Sequence, residues 1–224
     1  MLGTTKIYGC LADPINHVKA PTIFTSIFKN KNIDAVMVPI HLNDDNLENV
    51  VSSLKSIKNF KGMTVTIPHK TNITKLCDYL EPDAKFTGAV NWIKFDNDRN
   101  LIGDNFDGQG FVNGFIKQNY SLKNKNVCLF GAGGAALSIG ASLVNEHIKS
   151  LKLINRDINK AIHLKNKIHS KSNLLKVDVF PESDYTITDS DIIINATSLG
   201  LKKTDKMPFD VNNSSHNCVI ADII

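Results

Sequence analysis

The sequence predicts an α/β protein built in two parts, and three observations carry that prediction. Strand-like apolar runs alternate with helix-like periodic ones along the chain. One run, Val127 to Phe130, breaks abruptly into a glycine turn in which Gly131, Gly133 and Ala136 have the spacing G-x-G-x-x-A. A polar connector, Tyr120 to Asn126 (YSLKNKN), precedes that turn. The expected organisation is therefore an N-terminal α/β domain over 1–119, with a mixed, mainly parallel sheet, followed by a Rossmann-like NAD(P)-binding domain over 120–224.

Taken in order, Lys6 to Leu11 is a strand ended by Ala12, Asp13 and Pro14. Pro21 opens a helix expected to set Ile23, Phe24, Ile27 and Phe28 on one face. Ala35 to Ile40 is the next strand. Asp44 and Asp45 start a helix whose Leu47, Val50, Val51, Leu54 and Ile57 recur at helical spacing, so it covers a sheet. Gly62 to Ile67 gives a third strand, closed by Pro68, and places His69, Lys70 and Thr71 where strand passes to helix. Val90 to Phe95 and Leu101 to Ile102 read as a hairpin with Asp96 to Arg99 at its tip. A polar, glycine-bracketed loop, Gly103 to Gly108, leads to a helix over Gln109 to Asn119.

The second part reads as strand Val127 to Phe130, helix Ala135 to Val144 and strand Leu151 to Ile154. A helix to about His169 follows, then strands at Leu174 to Val177, Asp191 to Ile194 and Val219 to Asp222. In a G-x-G-x-x-A turn the first glycine makes the tight bend, the second admits a pyrophosphate, and the third small residue lets helix approach strand. The helix N-terminus then offers N–H groups to phosphate. Where the second strand ends, Asn155 and Arg156 stand in place of the acidic residue that holds an unmodified ribose. A guanidinium pairs with a 2′-phosphate, which favours NADP. If Asp157 faces the ribose instead, NAD is preferred.

Composition excludes several classes. Hydrophobic residues make up 42% and charged residues 21%, ordinary for a folded globular chain. The 26 basic and 22 acidic residues are scattered, so neither a nucleic-acid stripe nor a membrane patch is present. Cys10, Cys77, Cys128 and Cys218 show no C-x-x-C spacing and read as free thiols in a reducing compartment. His17, His41 and His69 share no metal-ligand spacing, so no metal is expected and each histidine is structural or solvent-facing. No signal segment or bilayer-length apolar run is seen. A cytoplasmic protein, monomer or homodimer, is expected.

Lys70 and Asp107 each terminate a sheet segment of the first part, and open sheets bind ligands at strand ends. A lysine beside a carboxylate makes an acid–base pair for a hydroxyl substrate. A surface lysine and a turn aspartate explain the same spacing. Asn91 begins a strand and Asn195 ends one in the run INATSLG, where amides fix ligands or serve as strand terminators and caps.

Several stretches together resemble the shikimate dehydrogenase family: GMTVTIPHK (62–70), GAVN (88–91), GDNFDGQGF (103–111), GAGGAA (131–136), INRD (154–157) and NATSLG (195–200). The resemblance runs from the first strand to the end of the chain. It implies a substrate domain, a nucleotide domain and a cleft between them in which NADP, with NAD as the alternative, oxidises one alcohol of a cyclic polyhydroxy acid of the chorismate pathway. It further implies that Lys70 is the acid–base group and Asp107 its partner, with Thr66 and Asn91 as substrate contacts. By the same resemblance, Gly131, Ala132, Gly133, Gly134, Ala135, Asn155, Arg156, Thr197 and Gly200 hold the cofactor.

Three departures qualify the resemblance. Two family serines that grip the substrate carboxylate are Val18 and Ala20 here, leaving Lys19 to supply a charge. Thr64 and Phe106 replace an asparagine and a threonine of the family. Asp222, Ile223 and Ile224 match the start of a family segment that continues into further helices, which carry a substrate-binding glutamine. The expectation is thus a divergent relative lacking C-terminal helices. An NAD-dependent quinate-type enzyme and a non-catalytic ligand-binding paralogue are the alternatives.

Overall fold

The computed structural model describes the whole chain, Met1–Ile224, which divides into two compact units, Met1–Phe106 and Asp107–Ile224. The first unit contains β1 (Lys6–Ala12), α1 (Ala20–Asn30), β2 (Ala35–His41), α2 (Leu47–Leu54), β3 (Phe60–Val65), β4 (Tyr79–Leu80), α3 (Pro82–Thr87), β5 (Trp92–Phe95) and β6 (Leu101–Asp104). Short 3₁₀ turns occupy Asp44–Asn46 and Asn72–Leu76. The strands form one sheet in the order β2-β1-β3-β5-β6-β4. Parallel pairing at β2, β1 and β3 gives way to antiparallel pairing of β5 with β3 and with β6, the latter joined by the tip at Asp96–Arg99.

Alternation along β1 divides the core. Cys10 joins Phe28 and Met37 on one face, whereas Leu11 joins Leu47, Val51, Phe60 and Met63 on the other. Helices therefore cover both faces. On α1 only part of the expected face is buried: Phe28 is 9% exposed, but Ile23 and Ile27 are 52% and 38% exposed. The aromatic residues take the sheet, with Phe24 at 5.7 Å from Trp92 and Phe28 at 5.3 Å from Tyr8 between ring centres. A one-residue offset is 100° around a helix, which turns the isoleucines outward.

α2 stops at Leu54, and Ile57 lies outside it, 42% exposed. Arg99 gathers the chain just past this end. Its guanidinium donates to the carbonyls of Leu54, Lys55, Ile57 and Phe60 at 2.8 to 2.9 Å. It thus ties the end of α2 to the start of β3, while stacking 4.2 Å from the Phe95 ring centre.

The second unit contains α4 (Asp107–Lys117), β7 (Asn126–Phe130), α5 (Gly134–Asn145), β8 (Ser150–Ile154), α6 (Ile158–Lys171), β9 (Lys176–Phe180), β10 (Ile192–Asn195) and β11 (Val219–Asp222). All five strands are parallel, in the order β11-β10-β7-β8-β9. β7 is central and buried on both faces: Val127 to Phe130 are each at most 1% exposed. From β7 the chain winds outward to β9, then crosses to β10 and β11. The order reverses between β7 and β10, the place where open parallel sheets take ligands.

Three local expectations shift. The helix expected from Gln109 begins at Asp107, so Asp107 is a helical residue rather than a loop residue. β9 starts at Lys176 rather than Leu174, whose side chain is 93% exposed. The units divide ahead of the polar connector, because α4 packs on α5. A Cβ on Gly108 would meet the Ser138 carbonyl oxygen at 2.0 Å, so only glycine permits this crossing. No helix is long and apolar enough to cross a membrane.

Candidate active site

In the first unit, backbone hydrogen bonds draw the expected acid–base lysine and two expected substrate contacts to one edge of the sheet. Val65 N–H donates to the Asn91 carbonyl (2.8 Å) and Val90 N–H to the Lys70 carbonyl (2.8 Å). Asn91 N–H donates in turn to the Asp104 carbonyl (3.0 Å), and Thr66 N–H to the Leu11 carbonyl (3.0 Å). Thr66, Lys70 and Asn91 are half-buried there, at the carboxyl ends of β1 and β3. A hydroxyl, an amine and an amide thus share one rim. Asn91 also accepts Phe106 N–H at its Oδ1 (3.0 Å), ordering the chain just ahead of Asp107.

The turn carrying Thr66 and Lys70 is anchored from below by His69, which is fully buried. His69 N–H donates to the Thr66 carbonyl, and the His69 carbonyl accepts Ile73 N–H. Beside this rim, Asp104 sits in a carboxylate-rich corner. Burial is the main influence pushing its carboxyl above the usual range, opposed by the Asn105 N–H and reinforced by Glu81 and Asp83.

Lys19 stands apart from this group. It precedes the first turn of α1, exposed, and its carbonyl accepts Ile23 N–H. Val18 and Ala20 beside it pack against the cluster of Cys10, Phe28 and Met37. The loop therefore presents Lys19 to solvent between two apolar anchors. Only its start is tied to the rim, through Asp13 N–H to the Ile67 carbonyl (3.1 Å).

In the second unit the expected cofactor residues lie on the carboxyl ends of β7, β8 and β10. Gly131 has φ +109°, and a Cβ there would stand 2.7 Å from the Ala196 carbonyl oxygen. Its N–H donates to the Ile154 carbonyl (2.8 Å), locking the turn to β8. Gly131 is thus demanded by the fold. Gly133 and Gly134 differ, since a Cβ at either meets nothing within 4 Å. Gly133 has φ −90°, open to any residue, so neither its backbone nor its neighbours in the chain require glycine there. With the N–H groups of the first turn of α5, and with Ala132 and Ala135 half-buried alongside, the cradle fits a pyrophosphate.

Arg156 and Asp157 differ in what holds them. Asp157 is the N-cap of α6, its carboxylate accepting Asn159 N–H (3.0 Å) and Lys160 N–H (3.3 Å). Asn155 donates its side-chain amide to the Asp157 carbonyl (2.7 Å), closing the turn. Arg156 is exposed at the strand end.

Asn195 is 1% exposed and belongs to the framework. Its amide donates to the Leu199 carbonyl (3.0 Å) and Asp222 Oδ1 (3.1 Å), and its Oδ1 accepts Thr197 N–H (3.1 Å) and Oγ1–H (2.7 Å). Gly200, at φ +112°, donates its N–H to Asp205 Oδ2 (3.1 Å), which also accepts Lys202 N–H (2.9 Å). Those two backbone donors, Lys202 foremost, hold the Asp205 carboxyl below the usual range. Asp205 carried no signal in the sequence, because its partners are backbone groups. Lys70 belongs to the first unit and Asp107 to the second.

A Rossmann-type nucleotide unit following an α/β unit with an amine, a hydroxyl and an amide on one rim defines an NAD(P)-linked oxidoreductase. Residues 10–93 match the shikimate dehydrogenase substrate-binding domain, and residues 115–223 match the shikimate/quinate 5-dehydrogenase family. The shikimate dehydrogenase (NADP(+)) of Methanosphaera stadtmanae is 36% identical over 226 residues, covering 99% of this chain and 79% of that protein. Among solved structures, shikimate 5-dehydrogenase from Listeria monocytogenes, in complex with shikimate and NAD, superposes with a TM-score of 0.91. It is 29% identical, over 100% of this chain and 80% of that one. The enzyme from Aquifex aeolicus superposes at 0.88 with 32% identity, covering 100% and 80%. The chain belongs to the shikimate dehydrogenase family.

Proposed function

We propose that this protein is an NADP-dependent dehydrogenase that interconverts shikimate, or a closely related cyclic hydroxy acid, with its 3-dehydro ketone. The observation that carries the reading is the rim in which Thr66, Lys70 and Asn91 are joined through the backbone of β3 and β5. When bound, the nicotinamide accepts the hydride from the carbinol carbon. Lys70 takes the hydroxyl proton, and Asp107 is the carboxylate partner in that transfer. Thr66 and Asn91 orient the ring hydroxyls, and Lys19 offers the substrate carboxylate a cation.

Gly131 to Ala135 hold the pyrophosphate, Arg156 takes the 2′-phosphate, and Thr197 and Gly200 shape the nicotinamide end. Asp157 caps α6 through Oδ1, and Arg156 is exposed beside it at the strand end, which supports NADP over NAD.

The test is reduced-nicotinamide absorbance with shikimate and quinate, each with NADP and NAD. Activity is expected with shikimate and NADP. Lys70→Ala should lose orders of magnitude in turnover and retain nucleotide binding, and unchanged turnover in that variant overturns the reading. Lys19→Ala should raise KM for the acid with turnover kept.

A further inference from the structure

We propose that Ser138 is a positioning residue for Asp107, coupling the nucleotide-binding helix to the acid–base carboxylate; this rests on the assignment of Asp107 made above. Asp107 opens α4, where the helix N-terminus favours a carboxylate. The peptide that follows it is held by α5. Gly108 N–H donates to Ser138 Oγ at 2.9 Å in a buried contact, and the missing Cβ of Gly108 lets the two helices approach until the Ser138 carbonyl fills that space. Gly108 and Ser138 are both buried, Ser138 to 3% exposure.

Ser138 lies on the helix that begins at Gly134, one turn beyond the glycine cradle. The cradle, Ser138, Gly108 and Asp107 thus form one continuous chain of contacts inside a single compact unit. A buried N–H left without its acceptor costs free energy, so loss of the Ser138 oxygen loosens the first turn of α4. The carboxylate is aimed by the same helix that receives the pyrophosphate. Nothing in this arrangement requires Ser138 to touch substrate or cofactor.

The test is a double-mutant cycle on the full chain, with steady-state turnover, nucleotide affinity and thermal melts measured together. Ser138→Ala should lower kcat by about tenfold to a hundredfold, as expected for a misaimed group, with nucleotide affinity unchanged. In the Asp107→Asn background the same change should cost nothing further, and in Ser138→Ala the pH profile of kcat should move toward that of Asp107→Asn. Equal losses in both backgrounds would reveal a merely structural serine and overturn the proposal, while the Asp107 assignment stands. An Asp107→Asn variant with wild-type turnover overturns that assignment and the proposal together. Gly108→Ala serves as the second variant: if folded, it should reproduce the kcat loss, and wild-type kcat in a folded Gly108→Ala protein counts against the proposal.

Discussion

His69 and Asp44 form a hydrogen-bonded pair beneath the turn that carries Lys70. The ring Nδ1 lies 2.6 Å from Asp44 Oδ1, and Nε2 lies 2.6 Å from the Leu42 carbonyl oxygen. Each ring nitrogen thus faces an oxygen, one from the side chain of Asp44 and one from the backbone of Leu42. Asp44 also accepts the Asn72 amide at 3.2 Å, linking the start of the α2 segment to the turn after Lys70.

Replacing His69 with Phe keeps the bulk and removes both contacts. A loss of about 2 to 3 kcal/mol in unfolding free energy is expected, from a part-buried carbonyl left without its partner and a lost contact to the Asp44 carboxylate. Denaturant titration measures it. Turnover should fall with stability, since the Thr66–Lys70 turn loses its floor.

Arg99 invites a paired substitution. Its backbone is at φ +66° and its side chain makes four carbonyl contacts. Arg99→Ala should cost about 2 to 4 kcal/mol through the lost charged hydrogen bonds. Arg99→Gly should be less damaging than Arg99→Ala by about 1 kcal/mol, because glycine accepts a positive φ. Equal midpoints for the two variants in urea would refute the backbone part of that account.

The two cradle glycines should separate stability from binding. Gly131→Ala puts a Cβ 2.7 Å from the Ala196 carbonyl at a positive φ, so both the melting temperature and nucleotide affinity are expected to drop. Gly133→Ala meets no protein atom within 4 Å, so the melt should stay put while nucleotide affinity falls. Calorimetric titration with NADP reads the second quantity.

Asp157→Ala should cost about 1 kcal/mol of stability through the lost N-cap, with little effect on cofactor preference. Arg156→Ala should leave stability intact and raise KM for NADP far more than for NAD. The ratio of the two KM values distinguishes them.

Acid should weaken the first unit at a defined point. Lys55 Nζ, 2.8 Å from Asp78 Oδ2, is the main influence lowering the Asp78 carboxyl below its usual range, followed by the Leu101 N–H at 2.7 Å. A lowered folded value means that the stabilisation is present above the unfolded aspartate value and is lost as pH falls through the folded one. Asp78→Asn should therefore melt below the parent at neutral pH and converge with it in acid. Both side chains are about a third exposed, so the gap is small and shrinks with salt.

Much of this architecture is written in local signals. The apolar run at Val127–Phe130, the glycine spacing after it and the strand–helix alternation reflect constraints within a few residues. What escaped depends on distance in the chain. Asp107 reads as a loop residue because it stands in a polar run bracketed by Gly103 and Gly108, and the tight α4–α5 crossing that uses Gly108 is a tertiary fact. His69 finds its partners at Leu42 and Asp44, with no spacing rule to announce them. Ile23 and Ile27 turn outward because Phe24 and Phe28 win the sheet. The short helix at Pro82–Thr87 carries ordinary boundary marks, proline in its first turn and Gly88, at φ +66°, after its last.

The place where the two halves divide also has a practical side for anyone building chimeras. A graft that exchanges the cofactor half for that of a relative, cut at the polar connector near 120, would leave α4 facing a foreign α5 across a crossing with no slack. Cutting ahead of Asp107 keeps the matched helices together and transplants the carboxylate along with the new cofactor preference.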